Sequence, residues 1–334
     1  RLRAGSDLDR AEAEQLMGDV MDGKVPAEDL AVILQSLARK GERAQELAGF
    51  AAAMRARAIR IRSVEGAVDT CGTGGSGLAT VNTSTLVALT LAAADVPVAK
   101  HGNRASSGAC GSSDVLEKAG VPIGIPPADC ERLLAEQGLA FLFAPLFHPA
   151  MKIVGPVRKA LGIRTVFNFL GPLCNPAGVR RQLLGVSSRE HAPLMSRALA
   201  DLGCDRGIVA CGADGLDELS LVAPTDLWIV ENGEIEERTI PPSDFGLSPV
   251  APEDIAGGSP DENLKLFEEL IDGRSGPRAD HLALNAAAGL YVAGEVDVLA
   301  DGVELARDLL RAGRVRETFE SYRSAVRATQ AVGP

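Results

Sequence analysis

The chain has 334 residues, 46% of them hydrophobic and only 4% aromatic, which is enough for a large core and suits one big α/β domain with a smaller appendage. A net charge of −11 excludes a broad nucleic-acid footprint, which needs a positive face, but leaves room for a local phosphate pocket built from a few cations. The six cysteines include no Cys-x-x-Cys pair and read as buried thiols of a reducing compartment.

No apolar run is long enough to span a bilayer and no signal peptide is visible. The expected location is the cytoplasm, with no membrane and no nucleic-acid partner.

The first sixty residues read as helical throughout. Asp9 and Glu12 make a capping-box start, and Leu16, Met17, Val20 and Met21 follow at helical spacing before Gly23. Pro26 begins a second helix whose stripe is Leu30, Ile33, Leu34 and Leu37, ending at Gly41. The stretch AQELAGFAAAMRARA supplies a third. Helices this short need another surface for their apolar faces, so a small helical domain is expected to pack on the main body or on a partner subunit.

From residue 66 the period changes. A strand near 67–71 leads into a glycine loop, an alanine- and leucine-rich helix follows from about residue 84, and VPVAK makes a second strand. That is a βαβ unit. QLLGVS, REHAPLMSRALADLG and RGIVACG repeat the alternation, and helices such as DENLKLFEELI and HLALNAAAGLYVAG come later. The fold class is α/β: a small all-helical N-terminal domain over residues 1–65, then a larger domain over 66–334 with a mostly parallel sheet and helices on both faces. The segment 148–180, and HPAMKIVGPVRKALG within it, is suspected of joining the helical domain.

Gly72, Gly74 and Gly77 satisfy the Gly-x-Gly-x-x-Gly pattern of a dinucleotide-binding turn. Two further demands of that motif fail. The apolar helix does not open at the second glycine, and the second strand ends in Lys100, followed by His101, Gly102, Asn103 and Arg104, rather than in an acid for a ribose diol. The loop suits a phosphate instead. Gly72, Gly74 and Gly75 let backbone N–H groups approach an anion. Thr80 lies in the same loop, and Asn82, Thr83, Ser84 and Thr85 bring donors to a helix N-terminus. Lys100 and Arg104 bring positive charge. Residues 106–114, with Ser106, Ser107, Gly108 and Ser112, form a second small-residue loop, so the ligand is expected to carry more than one phosphate group. Asp217 and Glu218, adjacent after the strand RGIVACG, would be inert on an ordinary surface loop. Beside a polyphosphate they become candidate Mg²⁺ ligands, since this ion binds through one or two carboxylates plus phosphates and water.

Taken together, GTGG-x-G, N-x-ST, KHGNR, GSSDVLE, FLFAPLFHPAM, PVRKALGIRTVFNFLGPLCNPA and DGLDELSL resemble the successive motifs of the anthranilate phosphoribosyltransferases, with similarity running nearly end to end. The resemblance implies transfer of the phosphoribosyl group of phosphoribosyl pyrophosphate to the amine of anthranilate, in tryptophan biosynthesis, with Mg²⁺. It implies a cleft between the two domains and a homodimer formed through the helical domains. It assigns phosphoribosyl pyrophosphate to Gly72, Gly74, Gly75, Thr80, Asn82, Ser84, Thr85, Lys100, Ser107 and Ser112. The metal ions go to Ser84, Asp217 and Glu218. Anthranilate goes to Gly72, Asn103 and Arg158, with Arg158 at its carboxylate and His101 lining the same channel. Lys100, His101 and Arg158 are the residues expected to act in catalysis. His148, His191 and His281 show no pairing in the sequence and are given no role.

Two positions depart from the family pattern: Ser76 where Asp is common, and Ala109 where Lys is often found. A pyrimidine-nucleoside phosphorylase, or a non-catalytic nucleic-acid-binding paralogue on the same scaffold, would carry KHGGR in place of KHGNR or a basic surface with damaged metal motifs. This chain has neither.

Overall fold

A computed structural model describes residues 1–77, 80–105 and 110–331. The chain opens with three helices, α1 (Arg10–Met21), α2 (Ala27–Lys40) and α3 (Ala44–Arg57). Asp9 caps α1, accepting from the Glu12 N–H at 2.8 Å while the Glu12 carboxylate accepts from the Asp9 N–H at 3.0 Å. The α/β part then runs β1 (Val68–Gly72), α4 (Thr83–Ala93), β2 (Val98–Gly102), α5 (Ser112–Lys118), α6 (Pro127–Gln137) and β3 (Leu139–Phe143). Three helices follow, α7 (Ala144–Phe147), α8 (Met151–Leu161) and α9 (Phe167–Leu173), before β4 (Arg181–Gly185), α10 (Ala192–Asp201) and β5 (Arg206–Gly212). A hairpin, β6 (Thr225–Glu231) and β7 (Glu234–Ile240), precedes α11 (Pro252–Ile255), α12 (Pro260–Ile271), α13 (Pro277–Ala293), α14 (Leu299–Arg311) and α15 (Arg314–Ala331).

The seven strands form one sheet in the order β3-β2-β1-β4-β5-β6-β7. The first five are parallel and β6 and β7 are antiparallel. The hairpin turns at Asn232 (φ 50) and Gly233 (φ 90), the Asn-Gly pair that tight β-hairpins favour. Alternate side chains of the central strands enter two separate cores, as a period of two requires. Ile208, Ala210, Leu227 and Ile229 point into one, with α4, α13 and α15; Val209, Cys211, Trp228 and Val230 point into the other.

The second core explains the helical region. Leu30, Leu34, Leu37, Leu47 and Phe50 share it with Val154 of α8, with Phe169, Leu170 and Leu173 of α9, and with Met195 and Leu199 of α10. The apolar faces of α1–α3 are thus covered by the chain itself, including the mid-chain helices, and require no second subunit to cover them. No helix among the described residues is long and apolar enough to cross a membrane.

Successive connections lead from β1 to β2 and β3 on one side, while β4 and β5 lie on the other. The reversal falls between β1 and β4, where crevices outside the carboxyl ends of strands bind ligands in open α/β sheets.

Candidate active site

A cavity of ≈ 580 Å³ opens at that reversal. Its floor is built by glycines. Gly72 ends β1 and sits in register with Gly185, which ends β4. The loop after β5 lies across both: a Cβ on Gly185 would fall 1.6 Å from the Asp217 carbonyl oxygen, and one on Gly72 would fall 2.5 Å from Asp217 Oδ2. The lack of side chains at these two positions lets the acidic loop descend onto the strand ends.

Above them, Gly74 (φ 68) and Gly75 (φ 84) turn the loop through left-handed backbone that glycine adopts without a Cβ penalty. The Gly74 N–H donates to Asp217 Oδ2 at 2.8 Å, and the Gly74 carbonyl accepts from Ser187 Oγ at 3.2 Å and Arg164 Nη1 at 3.3 Å. The Ser76 hydroxyl also hydrogen-bonds the Asp217 side chain.

Burial and the neighbouring charge of Glu218 both push the Asp217 carboxyl up from its ordinary value. Glu218 accepts from Thr80 Oγ1 at 2.9 Å on one oxygen, and its other oxygen lies 2.7 Å from His281 Nε2. Two adjacent carboxylates held against each other in a polar cleft form a donor set in search of a cation. Among the described residues no cluster of three or more His, Cys, Asp and Glu completes a cage. That fits an ion which takes its remaining ligands from phosphates and water, as Mg²⁺ does.

Lys100 stands on β2 and is 3% exposed. Its ammonium donates to the Thr70 carbonyl and to Ser84 Oγ at 3.1 Å, so it ties β1 to the N-terminus of α4. Burial lowers its pKa, opposed by the charge of Asp69. Asp69 is fully buried beneath it and accepts from the His101 N–H at 3.0 Å and from Gln182 Nε2 at 3.1 Å. Asn82 takes left-handed backbone (φ 48) and donates to the Cys110 carbonyl at 2.9 Å. Its oxygen lies 3.4 Å from Asn263 Nδ2, a cavity residue that the sequence did not single out.

On the other wall, His101 Nδ1 lies 3.2 Å from the Gly171 carbonyl, which requires that nitrogen to carry the proton. Nε2 is then a bare acceptor, buried and without a partner among the described residues. The His148 ring packs against it with centroids 5.2 Å apart. Burial pushes His101 down to about 4 and His148 down to about 3. Above pH about 6.5 both imidazoles are neutral in either state and carry no penalty. As pH falls, the unfolded chain takes up these protons first, so stability drops between about 6.5 and about 4 and the loss levels off near 3. Urea midpoints measured from about pH 7 to about pH 4 should decline. His148→Phe should flatten that decline, and an unchanged slope in the variant would remove this pair as its cause.

The histidines correct the sequence reading, in which His148, His191 and His281 were unpaired: His281 meets Glu218, His148 meets His101, and His191 packs on the Phe169 ring. Of the expected site residues, Gly72, Gly74, Gly75, Thr80, Asn82, Thr83, Ser84, Lys100, His101, Asn103, Arg104, Ser112, Asp217 and Glu218 all line the cavity. Thr85 does not; it is buried in the first turn of α4 with its hydroxyl unpartnered. Arg104 lines the mouth, but its guanidinium is engaged with Glu117 at 2.6 and 2.9 Å and with Asp114 at 3.3 Å. Arg158 lies outside the lining, half-buried with its guanidinium over the Phe167 ring at 5.5 Å. Ser106, Ser107, Gly108 and Ala109 lie outside the described residues.

A family model described as a glycosyl transferase helical bundle domain matches residues 1–58, and one described as a glycosyl transferase a/b domain matches residues 64–316. The anthranilate phosphoribosyltransferase of Solibacter usitatus is 46% identical over 319 residues, which cover 95% of this chain and 94% of its own. The crystal structure of the Thermus thermophilus anthranilate phosphoribosyltransferase superposes with a TM-score of 0.92 at 43% identity, covering 98% of both chains. The Saccharomyces cerevisiae enzyme, solved in complex with phosphoribosyl pyrophosphate and Mg, superposes with a TM-score of 0.89 at 26% identity over 96% of this chain and 94% of that one. Matched along both its helical and its α/β parts, and closely similar over nearly its whole length to bacterial relatives, the chain belongs to the anthranilate phosphoribosyltransferase family.

Proposed function

We propose that this cleft transfers the 5-phosphoribosyl group from phosphoribosyl pyrophosphate to the amine of anthranilate, releasing pyrophosphate, in tryptophan biosynthesis. The observation that carries the reading is the meeting, at one strand reversal, of a glycine loop, a buried lysine and two adjacent carboxylates. Ser84, Asp217 and Glu218 would hold Mg²⁺, which supplies neutralisation of the charge that grows on departing pyrophosphate.

The chain's own residues do the rest. Gly72, Gly74, Gly75, Thr80, Asn82, Thr83, Ser84 and Ser112 offer the backbone and hydroxyl donors of a phosphate cradle, with Ser107 assigned by resemblance and Ser106 and Gly108 by the small-residue loop they share with it. Lys100, bonded to Ser84, puts a fixed positive charge beneath the cradle. Preorganised donors of this kind stabilise developing charge without reorganising at the moment of reaction. Arg104 is assigned to phosphate as well, which requires its guanidinium to leave both Glu117 and Asp114.

Anthranilate's amine is neutral at physiological pH and needs positioning more than a strong base. Asn103 and His101 line the acceptor side. His101 is kept neutral by burial, with its ring packed on His148 and Nδ1 bonded to the Gly171 carbonyl; it serves that wall either as acceptor of the departing proton or as a packing and hydrogen-bonding residue. The Arg158 guanidinium has no ion pair or hydrogen bond among the described residues, and burial lowers its pKa; an unpaired, half-buried guanidinium suits a carboxylate. The transition state is expected to resemble an oxocarbenium ion.

The division into a helical domain at 1–65, with the segment near 148–180 packed on it, and a catalytic domain at 66–334 belongs to the same reading. So do cytoplasmic location and a homodimer through the helical domains, for which particle mass in solution is the test; exposed Ile153 in α8 and Ile163 just after it support such a contact.

The reaction is tested by following anthranilate fluorescence. Loss of signal is expected only when phosphoribosyl pyrophosphate and Mg²⁺ are both present, and EDTA should stop it. Turnover that persists in EDTA, or none with folded protein, would sink the assignment.

A further inference from the structure

Two side chains of α13, one helical turn apart, hold Glu218 and the residue that follows it. His281 Nε2 lies 2.7 Å from Glu218 Oε2. Asn285 holds the next peptide by both its groups: its oxygen accepts from the Leu219 N–H at 2.8 Å, and its amide donates to the Leu219 carbonyl at 2.9 Å. That amide also donates to the His281 carbonyl at 3.0 Å, which locks the two grips together. The His281 side chain is 2% exposed, and its Nδ1 is buried without a partner among the described residues. A carboxylate oxygen can only accept, so Nε2 is assigned the proton and donates a hydrogen bond to Glu218. Thr80 donates to the other oxygen at 2.9 Å.

Each carboxylate oxygen has two lone-pair directions, so one remains free on both oxygens after these bonds. Glu218 is therefore fixed in rotamer yet still able to ligate. Partners that orient a ligating carboxylate in this way affect metal affinity about 10–100-fold.

We propose that His281 is a positioning residue for the divalent-cation site: it holds the Glu218 carboxylate, and with Asn285 it makes α13 the wall that preforms the metal-binding edge of the cleft. His281 touches no substrate and acts only through Glu218. This rests on the reading of Asp217 and Glu218 as metal ligands given above.

The test measures Mn²⁺ binding to the protein alone, by the loss of the free-ion electron paramagnetic resonance signal, in the wild type and in His281→Leu, His281→Gln and Asp217→Asn. His281→Leu keeps bulk and removes the donor; its affinity is expected to fall about tenfold. His281→Gln restores a donor and should stay within about threefold of wild type. The Mg²⁺ concentration for half-maximal turnover should rise in the leucine variant while kcat at saturating Mg²⁺ changes little.

Equal or tighter Mn²⁺ binding by His281→Leu overturns the proposal, as does an equal loss in the leucine and glutamine variants, which would mark a packing role. If wild type itself binds no more Mn²⁺ than Asp217→Asn, the metal reading fails rather than the role of His281 within it. If His281→Leu does not fold, the glutamine variant and Thr80→Val decide it. Glutamine should hold affinity and valine should weaken it, and the reverse pattern refutes the mechanism of positioning by donors on Glu218.

Discussion

Replacing Asp217 by Asn and Glu218 by Gln together should reduce Mg²⁺-dependent turnover at least about a thousandfold, equivalent to roughly 4 kcal/mol of barrier. The two carboxylates are neighbours on the loop after β5, and burial plus mutual repulsion raises the Asp217 pKa. That unfavourable arrangement is useful only if a cation enters. The amides keep shape and hydrogen bonding: in Asp217→Asn the new amide oxygen can still accept from the Gly74 N–H, which lies 2.8 Å from the carboxylate in the wild type. Removing buried charge should therefore leave thermal stability equal to wild type or higher. The pair of readouts is decisive. Lost turnover with retained or raised melting temperature is expected, whereas lost turnover with a large fall in melting temperature would make the acids structural.

Gly185→Ala should have an effect of similar reach through geometry alone. Its Cβ would sit 1.6 Å from the Asp217 carbonyl oxygen and 2.4 Å from the carbonyl carbon. Both are backbone atoms, so no rotamer change relieves the clash. The acidic loop must lift off the end of β4 and carry Asp217 and Glu218 with it. We expect turnover to fall at least about a hundredfold, because misplacing reacting groups by about 1 Å is that costly. Stability should fall by about 1–3 kcal/mol, as for other overpacked sites. Gly155→Ala in α8 is the control: a Cβ there meets nothing within 4 Å. That variant should keep full activity and gain about 0.4–1 kcal/mol from the stiffer unfolded chain. Wild-type turnover in Gly185→Ala would show that the loop has another resting place.

Local chemistry made much of the molecule legible from the chain alone. The Asp9–Glu12 capping box, the Leu30–Leu34–Leu37 stripe and the switch of period near residue 66 announce helices followed by βαβ units, because caps and periodicity act between residues close in sequence. The glycine loop and Lys100 are likewise carried by consecutive residues, and both line the cavity. The Asn232-Gly233 pair is an equally local signal for the β6–β7 hairpin, which the sequence reading passed over.

Tertiary structure decided the contacts whose partners are distant in sequence. Gly185 matters only because β4 lies beside β1 and the acidic loop crosses both. His281 looked idle until the packing of α13 brought it to Glu218, and Arg164, which the sequence did not single out, reaches the Gly74 carbonyl. Arg104 shows the converse, since its charge suited phosphate in the sequence but its neighbours in space are Asp114 and Glu117. Residue type and spacing set what each segment can form and which chemistry it can carry. Which of those groups meet depends on strand order and on which face each helix buries, and these follow from the packing of the whole chain.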